Sequence, residues 1–331
     1  MTAAKLLNSS RELAPGILIC ATIGMASAFV SDNYGGPTLL FALLIGMAFH
    51  SLVIGSQAIP GIGFCSKTVL RAGVALLGAR ISLSQIGSLG WPPIVLVVSG
   101  VALTLIFGAV MARSVGASRN FGLLTGGAVA ICGASAALAI SAVLPNVKDK
   151  ERNTLFTVVG VTILSTVAMV VYPVLARTFG LSAHNTGLLF GATIHDVAQV
   201  VAAGQMVSDD AALVATYTKL LRVTLLLPAV IGLAWYTKGN TGKSTAQLVP
   251  TFLIAFAVLV LINSAGFIST GAAGELASVS RWCLIFAIAA LGMKTSLGDL
   301  AEIGWRPLVL LISETLFLLI LVSIGLKILH N

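Results

Sequence analysis

The scarcity of charge constrains this chain more than any other feature. Only 9% of its 331 residues are Asp, Glu, Lys or Arg, whereas 57% are hydrophobic. A soluble domain carries roughly 25% charged residues, so this composition could not cover a surface in water. The chain is therefore expected to be an integral membrane protein whose surroundings are the lipid bilayer.

Eleven apolar runs are candidates for crossing the membrane. A crossing helix needs about 20 apolar residues, and fewer where long polar side chains extend from its ends. A cleaved signal peptide would resemble the first run, but ten further runs favour a retained first helix. The runs predict an all-α polytopic membrane protein and cover residues 14–31, 37–54, 69–83, 92–111, 121–144, 153–176, 186–204, 211–235, 247–268, 278–293 and 306–327.

The positive charges between the runs predict the orientation of the chain. The net charge of +8 comes mostly from Lys and Arg between apolar runs, which indicates topology determinants rather than nucleic-acid binding. The basic segment PNVKDKERN, residues 145–153, would lie outside by simple counting. Either the positive-inside rule fails there, or run 121–144 returns to the side from which it entered. Run 186–204 must then return as well, and both runs are rich in Gly and Ala, as interrupted segments are.

Two stretches of the chain repeat each other. Residues 75–99 (ALLGARISLSQIGSLGWPPIVLVVS) and 289–313 (AALGMKTSLGDLAEIGWRPLVLLIS) are identical at 11 of 25 positions and share a G-W-x-P motif. The charges orient the two copies in opposite directions, which is typical of secondary transporters. A shared helix-turn-helix packing motif is the alternative. A weaker pair joins residues 122–139 and 187–204, which both begin with GLLxG.

Several motifs together resemble one known family. They are AICGASAALA, the KERN after the next proline, GATIHDVAQVVAAG and TKLLRV. In combination they are similar to the YeiH-type family of bacterial inner-membrane proteins, to which sulfate export is attributed, over about residues 15–325. The resemblance implies a multi-span carrier of a small anion in the bacterial cell inner membrane.

A more distant likeness concerns architecture. The L-G-x-x-x-S-L motif followed by a proline-bearing helix is similar to the bile-acid symporter and sodium/proton antiporter superfamily. This likeness implies one transporter domain over residues 1–331, with two broken helices and a homodimeric assembly. The expected panel-like elements lie around 37–111 and 247–327, and the core-like elements around 121–235.

His195 and Asp196 lie side by side in the second Gly/Ala-rich run. A charge at mid-bilayer costs roughly 2.5–3.5 kcal/mol on insertion scales, so such groups are expected to be paired, hydrated or functional. Neighbours on a regular helix point about 100° apart, so the pair reaches one cavity if the segment unwinds or if both residues flank the pocket. His195 and Gln199, four residues apart, would share a face, with Thr193 nearby. A structural pair that pins two helices is the alternative.

An unwound segment would expose backbone N–H groups at a half-helix N-terminus, where anions bind. His195 titrates near neutral pH and could carry a coupled proton, with Asp196 orienting it or carrying the proton itself. The predicted substrate-binding residues on the two interrupted runs are Cys132, Gly133, Ala134, Ser135, Thr193, His195, Asp196 and Gln199.

Lys219 and Arg222 complete the predicted substrate site. They are three residues apart, share a helical face and lie near mid-depth, too far from the membrane edge to snorkel easily. A divalent oxyanion needs counter-charge, and Arg offers it a planar fork of donors. The alternatives are an ion pair with Asp196 or snorkelling to the cytoplasmic edge.

Other polar residues in the apolar runs receive simpler interpretations. Arg71, Arg80 and Lys294 lie near segment ends, where snorkelling accounts for them. Helix-to-helix hydrogen bonds are expected for the isolated polar residues Glu314, Asn263, Ser264 and His50.

The sequence thus favours a secondary active transporter of a small anion, such as sulfate or an organic sulfonate, coupled to H⁺ or Na⁺. A cation/proton antiporter or channel that binds its ion at Asp196 is the alternative, and a membrane-embedded enzyme or sensor is a third. The chain has no HExxH, P-loop or GxSxG motif, so an enzyme is not expected. Its four cysteines have no CxxC spacing, so neither a disulfide framework nor a zinc site is indicated, and no cofactor is expected.

Overall fold

The computed structural model describes residues 3–35, 37–87, 90–145, 150–237, 251–295 and 305–330. Every regular element in these ranges is helical, which confirms the predicted all-α class. Short π and 3-10 helices, Cys65–Val69 and Gly78–Arg80, flank the fifth α-helix. The α-helices are α1 (Ala3–Tyr34), α2 (Thr38–Ala48), α3 (His50–Val53), α4 (Ile59–Phe64), α5 (Leu70–Leu77), α6 (Leu83–Gly87), α7 (Trp91–Ser114), α8 (Arg119–Ala130), α9 (Ala134–Val143), α10 (Lys150–Thr178), α11 (Ala183–Thr193), α12 (Val197–Gln205), α13 (Asp209–Thr224), α14 (Leu226–Tyr236), α15 (Thr251–Ser264), α16 (Thr270–Lys294) and α17 (Trp305–His330).

Seven helical stretches in the described ranges are long and apolar enough to cross a membrane, so the chain is a multi-pass membrane protein. The predicted number of eleven spans is not confirmed, because runs 121–144 and 186–204 are each divided into two short helices. The seven stretches are Glu12–Tyr34, Ile59–Arg80, Trp91–Ser114, Arg152–Thr178, Asp209–Tyr236, Gly271–Lys294 and Trp305–Leu329.

The chain divides into two compact units. The first comprises Met1–Gly87 and Thr251–Ser296, and therefore α1–α6, α15 and α16. The second comprises Ser88–Pro250 and Leu297–Asn331, with α7–α14 and α17, and it holds every predicted substrate-binding residue. The grouping into panel-like and core-like elements stays a prediction.

Isolated polar side chains connect segments of the first unit, as expected. His50 Nδ1–H donates to the carbonyl oxygen of Met293 at 2.8 Å. Asn263 Nδ2 donates to Ile81 at 3.2 Å, and Ser264 Oγ accepts from a backbone N–H two residues beyond Ile81 at 2.8 Å. Inside a membrane the hydrophobic effect does not drive helices together, so interhelical hydrogen bonds of this kind contribute to their association.

The repeated G-W-x-P motif begins two helices of the second unit, α7 and α17. A Cβ at Gly325 would overlap the side chain of Leu96, and one at Gly100 would touch Leu318. From Leu96 to Gly100 the chain moves forward along α7, while the contacting residue of α17 moves back from Gly325 to Leu318. The two helices therefore pack antiparallel. The helical parts of the two copies in this unit therefore run in opposite directions, as an inverted repeat requires.

Residues 119–143 form a helical hairpin, called hairpin 1. The helix is interrupted between α8 and α9, where Gly133 has a φ of 60°, a conformation that favours Gly. A Cβ at Gly127 of α8 would overlap Cδ1 of Ile140 in α9. In one continuous helix these residues would lie about 20 Å apart. The second helix therefore folds back along the first, and the hairpin returns to the end of the unit where it began.

Residues 183–205 form hairpin 2. Gly187 near the start of α11 lies against Val214, and Gly204 near the end of α12 lies against Ala212. In a continuous helix Gly187 and Gly204 would be about 25 Å apart, yet both contact the same turn of α13. This hairpin also returns to the end from which it entered.

The two hairpins enter the second unit from opposite ends. Hairpin 2 begins beside the N-terminal part of α13, whereas hairpin 1 begins beside the C-terminal end of α14, where the Arg119 guanidinium lies 4.9 Å over the Tyr236 ring. The helices α13 and α14 form one candidate span, Asp209–Tyr236, which leads from one end to the other. Of the two explanations for the basic segment 145–153, the structure confirms the return of both runs. Its Arg152 lies at the same end as Arg119, in agreement with the positive-inside rule, and its Lys148 lies outside the described residues.

Candidate functional site

The tips of the two hairpins lie against each other. The tips are the non-helical residues 131–133 in hairpin 1 and 194–196 in hairpin 2. A Cβ at Gly133 would lie 3.6 Å from the backbone oxygen of His195 and 3.7 Å from its Cβ. Two helices, α8 and α11, end here with free carbonyls, and two others, α9 and α12, begin here with free N–H groups. Irregular backbone at membrane depth persists where such groups find partners in protein or water.

Lys219 supplies partners for one carbonyl of each tip. Its Nζ donates to the carbonyl oxygens of Ile131, at 2.7 Å, and Ile194, at 2.9 Å. The side chain is fully buried, at 0% exposure, so it does not snorkel. One ammonium thus joins both hairpins.

Arg222 makes four further bonds to the ends of α8 and α11. Its Nε and Nη2 donate to Ala130 and Val129, at 2.8 and 2.7 Å. Its Nη1 donates to Gly191 and Ile194, at 3.2 and 3.1 Å. The guanidinium is 1% exposed and replaces N–H donors that the interrupted helices lack.

The positions of these cations explain how the tips persist in a membrane. Helix C-termini carry partial negative charge, which Lys and Arg stabilise. The direct partners of Lys219 and Arg222 are backbone carbonyls, which the sequence analysis did not foresee. That Lys219 and Arg222 belong to a substrate site stays a prediction. In that site their positive charges would attract an anion.

The helix N-termini at the tips differ from those at the ends of the unit. At the ends, the hydroxyls of Ser118, Ser182 and Ser208 accept backbone N–H groups at 3.1–3.2 Å. At the tips, α9 and α12 follow Gly133 and Asp196, neither of which forms a side-chain cap bond. The first N–H groups of α12, those of Val197 and Ala198, face the Asp196 carboxylate. The first N–H groups of α9 are therefore the ones available to a ligand, and helix N-termini of this kind bind anions.

Ser135 and Asp196 are the accessible polar side chains of the predicted set. Ser135 lies in the first turn of α9 and is exposed, whereas Asp196 is half-buried. The Asp196 carboxylate lies within electrostatic range of the Lys219 ammonium and the buried Cys132 thiol. Two cations against one carboxylate leave a formal charge of +1 at the tips when His195 is neutral.

His195 is fully buried and bonds to α17. Its Nε2 lies 3.0 Å from Thr315 Oγ1, which donates its own hydrogen to Leu311 at 2.7 Å. This is the hydrogen bond of His195 Nε2, and Nδ1 has no partner among the described residues. The hydrogen-bond partner of His195 is thus Thr315 rather than Asp196.

The start of α12 is held by α10. The backbone N–H of Asp196 donates to Ser165 Oγ at 3.0 Å, and Gln199 Nε2 donates to Thr166 Oγ1 at 3.4 Å. His195 and Gln199 do not share a helical face, because α12 begins at Val197. The buried Thr193 bonds back to its own helix, and the predicted Ala134 is half-buried in the first turn of α9.

Sequence reasoning missed the polar residues on α10 and α17 that position the hairpins. Beside Ser165, Thr166 and Thr315, the missed residue is Thr125 of α8, whose Oγ1 lies 2.7 Å from Oε1 of Glu314 on α17. An isolated hydroxyl in an apolar run is the sequence feature by which such residues could have been found. The helix-to-helix bond expected for Glu314 is confirmed. Among the described residues, no group of three or more His, Cys, Asp or Glu side chains could hold a metal ion.

Sequence comparisons identify close relatives over nearly the whole chain. Residues 15–311 match the family described as Conserved hypothetical protein 698. A UPF0324 membrane protein of Chlorobaculum tepidum is 52% identical over 93% of this chain and 87% of its own. The UPF0324 membrane protein TauZ of Paracoccus pantotrophus is 48% identical over 96% of each chain. A UPF0324 membrane protein of Bordetella pertussis is 31% identical over 91% of this chain and 90% of its own.

Proposed function

Since this chain belongs to the Conserved hypothetical protein 698 family of UPF0324 membrane proteins, in agreement with the YeiH-type resemblance of its motifs, we propose that it is a secondary active transporter of a small anion. It is a carrier rather than an enzyme and acts in the bacterial inner membrane. The substrate is sulfate or an organic sulfonate, and the hairpin tips of the second unit hold it.

The meeting of the two hairpin tips carries this proposal. Each hairpin is a discontinuous membrane segment, and they approach from opposite ends. Secondary transporters bind substrates at such breaks near the bilayer midplane, where half-helix N-termini point at anionic groups. Hairpins that enter from opposite ends also offer one gate toward each side of the membrane, as alternating access requires.

The charge at the tips favours an anion over a cation. Lys219 and Arg222 satisfy the carbonyl ends of α8 and α11, which would otherwise be the natural ligands of a cation. The N-terminal end of α9 remains, with the Ser135 hydroxyl beside it. A tetrahedral oxyanion accepts hydrogen bonds from such N–H and O–H donors.

Flux in proteoliposomes tests the proposal. We expect the purified protein to carry labelled sulfate or an organic sulfonate above the rate of empty vesicles, with a response to an imposed pH or Na⁺ gradient. Ser135→Ala removes one hydrogen bond to an anion, worth about 1.5 kcal/mol, and should weaken the apparent affinity about tenfold. Ser99→Ala is the matched control, because the Ser99 hydroxyl bonds within α7. Flux of neither anion above that of empty vesicles would refute the proposal.

One observation favours the alternative of a cation/proton antiporter or channel. The half-buried Asp196 lies at the tip, where its carboxylate could bind a cation directly. The same vesicles distinguish the two functions, since the alternative predicts Na⁺ or H⁺ movement without sulfate that disappears in Asp196→Asn. Sulfate flux that persists in Asp196→Asn would exclude Asp196 as the ion-binding carboxylate.

A further inference from the structure

Glu314 is a buried carboxyl group that no part of the proposed anion site uses. It lies ten residues into α17 and has 0% exposure. Its Oε1 lies 2.7 Å from Thr125 Oγ1 on α8, and its Oε2 has no hydrogen-bond partner among the described residues. A Cβ at Gly108 of α7 would lie 2.5 Å from Oε1, so three helices enclose the carboxyl group.

The hydrogen bonds around Thr125 indicate where the proton lies. Thr125 Oγ1 is also 3.1 Å from the carbonyl oxygen of Phe121 and 3.3 Å from that of Gly122. A hydroxyl has one hydrogen to give, and a carbonyl oxygen can only accept. If Glu314 is neutral, its O–H donates to Thr125, which donates onward to Phe121, and the chain of bonds is complete. If Glu314 is ionised, a buried negative charge has one hydroxyl donor and no cation, an arrangement that membrane interiors disfavour.

Among the side chains that the structure describes on the surrounding helices, no charged group compensates an ionised Glu314. The helices packed against α17 are α7, α8, α10 and α11. His195 reaches the neighbouring Thr315, and no ion pair or hydrogen bond joins Glu314 to a charged side chain in the described part of the chain. The other titratable or charged residues on these helices are Arg113, Arg119, Lys150, Glu151, Arg152, Tyr172, Arg177, His184, Arg306, Lys327 and His330.

We propose that Glu314 is a proton-binding site, occupied by a proton in this arrangement of hairpin 1 and α17. Release of the proton leaves a carboxylate that needs further donors at Oε2. Because α7, α8 and α17 enclose it, such donors or water reach Oε2 when hairpin 1 moves relative to α17. Proton release is thereby linked to the position of hairpin 1, which carries Ser135 in the first turn of α9. This link rests on the proposed function and identifies the coupling ion of the transporter as H⁺.

Infrared difference spectroscopy of the purified full-length protein tests the proton site without any transport. A neutral carboxylic acid has a C=O stretching band that a carboxylate lacks. We expect this band at neutral pH in the wild type, its loss in Glu314→Gln, and its retention in the control Glu275→Gln, which changes an exposed residue of α16. Thr125→Val keeps Glu314 but removes its hydrogen-bond partner, so the band should shift to higher frequency.

Each outcome decides the proposal. Loss of the band in Glu314→Gln or its shift in Thr125→Val supports the proton site, and the second variant decides if the first does not fold. A carboxylic-acid band that is absent in the wild type, or unchanged in both variants, overturns it. In proteoliposomes, Glu314→Gln should carry sulfate without responding to a pH gradient. If no sulfate is carried at all, the proposed function fails while the infrared result still stands.

Discussion

Replacing Arg222 by Met should destabilise the hairpin tips more than the loss of any other single side chain described at the site. The substitution keeps an apolar stem but removes the donors to Val129, Ala130 and Gly191, while Ile194 keeps its bond from Lys219. A buried carbonyl left unsatisfied costs about 1–3 kcal/mol, so three of them cost about 3–9 kcal/mol. Relief of the desolvation of the guanidinium offsets part of this cost, and we expect a net loss near the lower limit, about 3 kcal/mol.

Amide hydrogen exchange followed by mass spectrometry measures this loss locally. A local cost of about 3 kcal/mol corresponds to roughly 100-fold faster exchange in the last turns of α8 and α11. Arg113→Met is the matched control, because Arg113 is exposed at the end of α7. Arg222→Lys should give an intermediate result, since one ammonium cannot reach all three carbonyls. If exchange at the tips in Arg222→Met equals that in the control, the capping role of Arg222 is refuted.

Two further substitutions test the tip geometry through thermal unfolding in detergent. Gly133→Ala places a side chain at a φ of 60° and should cost about 1–3 kcal/mol, whereas Gly232→Ala, a helical position with no atom within 4 Å, should be neutral or stabilising. Thr315→Val leaves the buried His195 Nε2 without its hydrogen-bond partner and should cost about 1–3 kcal/mol, whereas Thr22→Val at an exposed site should change stability by less than about 0.5 kcal/mol. Equal melting temperatures for a variant and its control would contradict the corresponding contact.

The interruptions of the two hairpins could be predicted from sequence, whereas their return was one of two explanations that the sequence left open. Gly- and Ala-rich runs with polar residues at mid-depth indicate a break, because such a run is a poor continuous helix in lipid. Whether the second half continues or folds back depends on contacts such as that between Gly127 and Ile140. The two directions leave the same hydropathy pattern, so the basic segment 145–153 was the one available sign of a return.

The partners of the buried charges left no trace in the sequence. The depth of Lys219 and Arg222 in the membrane can be predicted from their position in an apolar run. Their partners cannot, because they are backbone carbonyls, and every residue has one. Glu314 has its partner 189 positions away, at Thr125, beyond any spacing rule. The prediction that His195 and Gln199 share a helical face was wrong. The i, i+4 spacing applies only within a helix, and α12 begins after His195, at Val197.

The insertion of the two hairpins from opposite sides is the claim on which the proposed function depends, and site-directed labelling tests it most directly. Single cysteines at 119, 152, 179 and 210 flank the hairpins, in a background without the four native cysteines. In spheroplasts, a membrane-impermeant thiol reagent should label either the cysteines at 119 and 152 or those at 179 and 210. The members of each pair should give the same result, and the two pairs should give opposite results. Labelling of 119 and 152 from different sides would show that residues 119–143 cross the membrane, and would contradict the account.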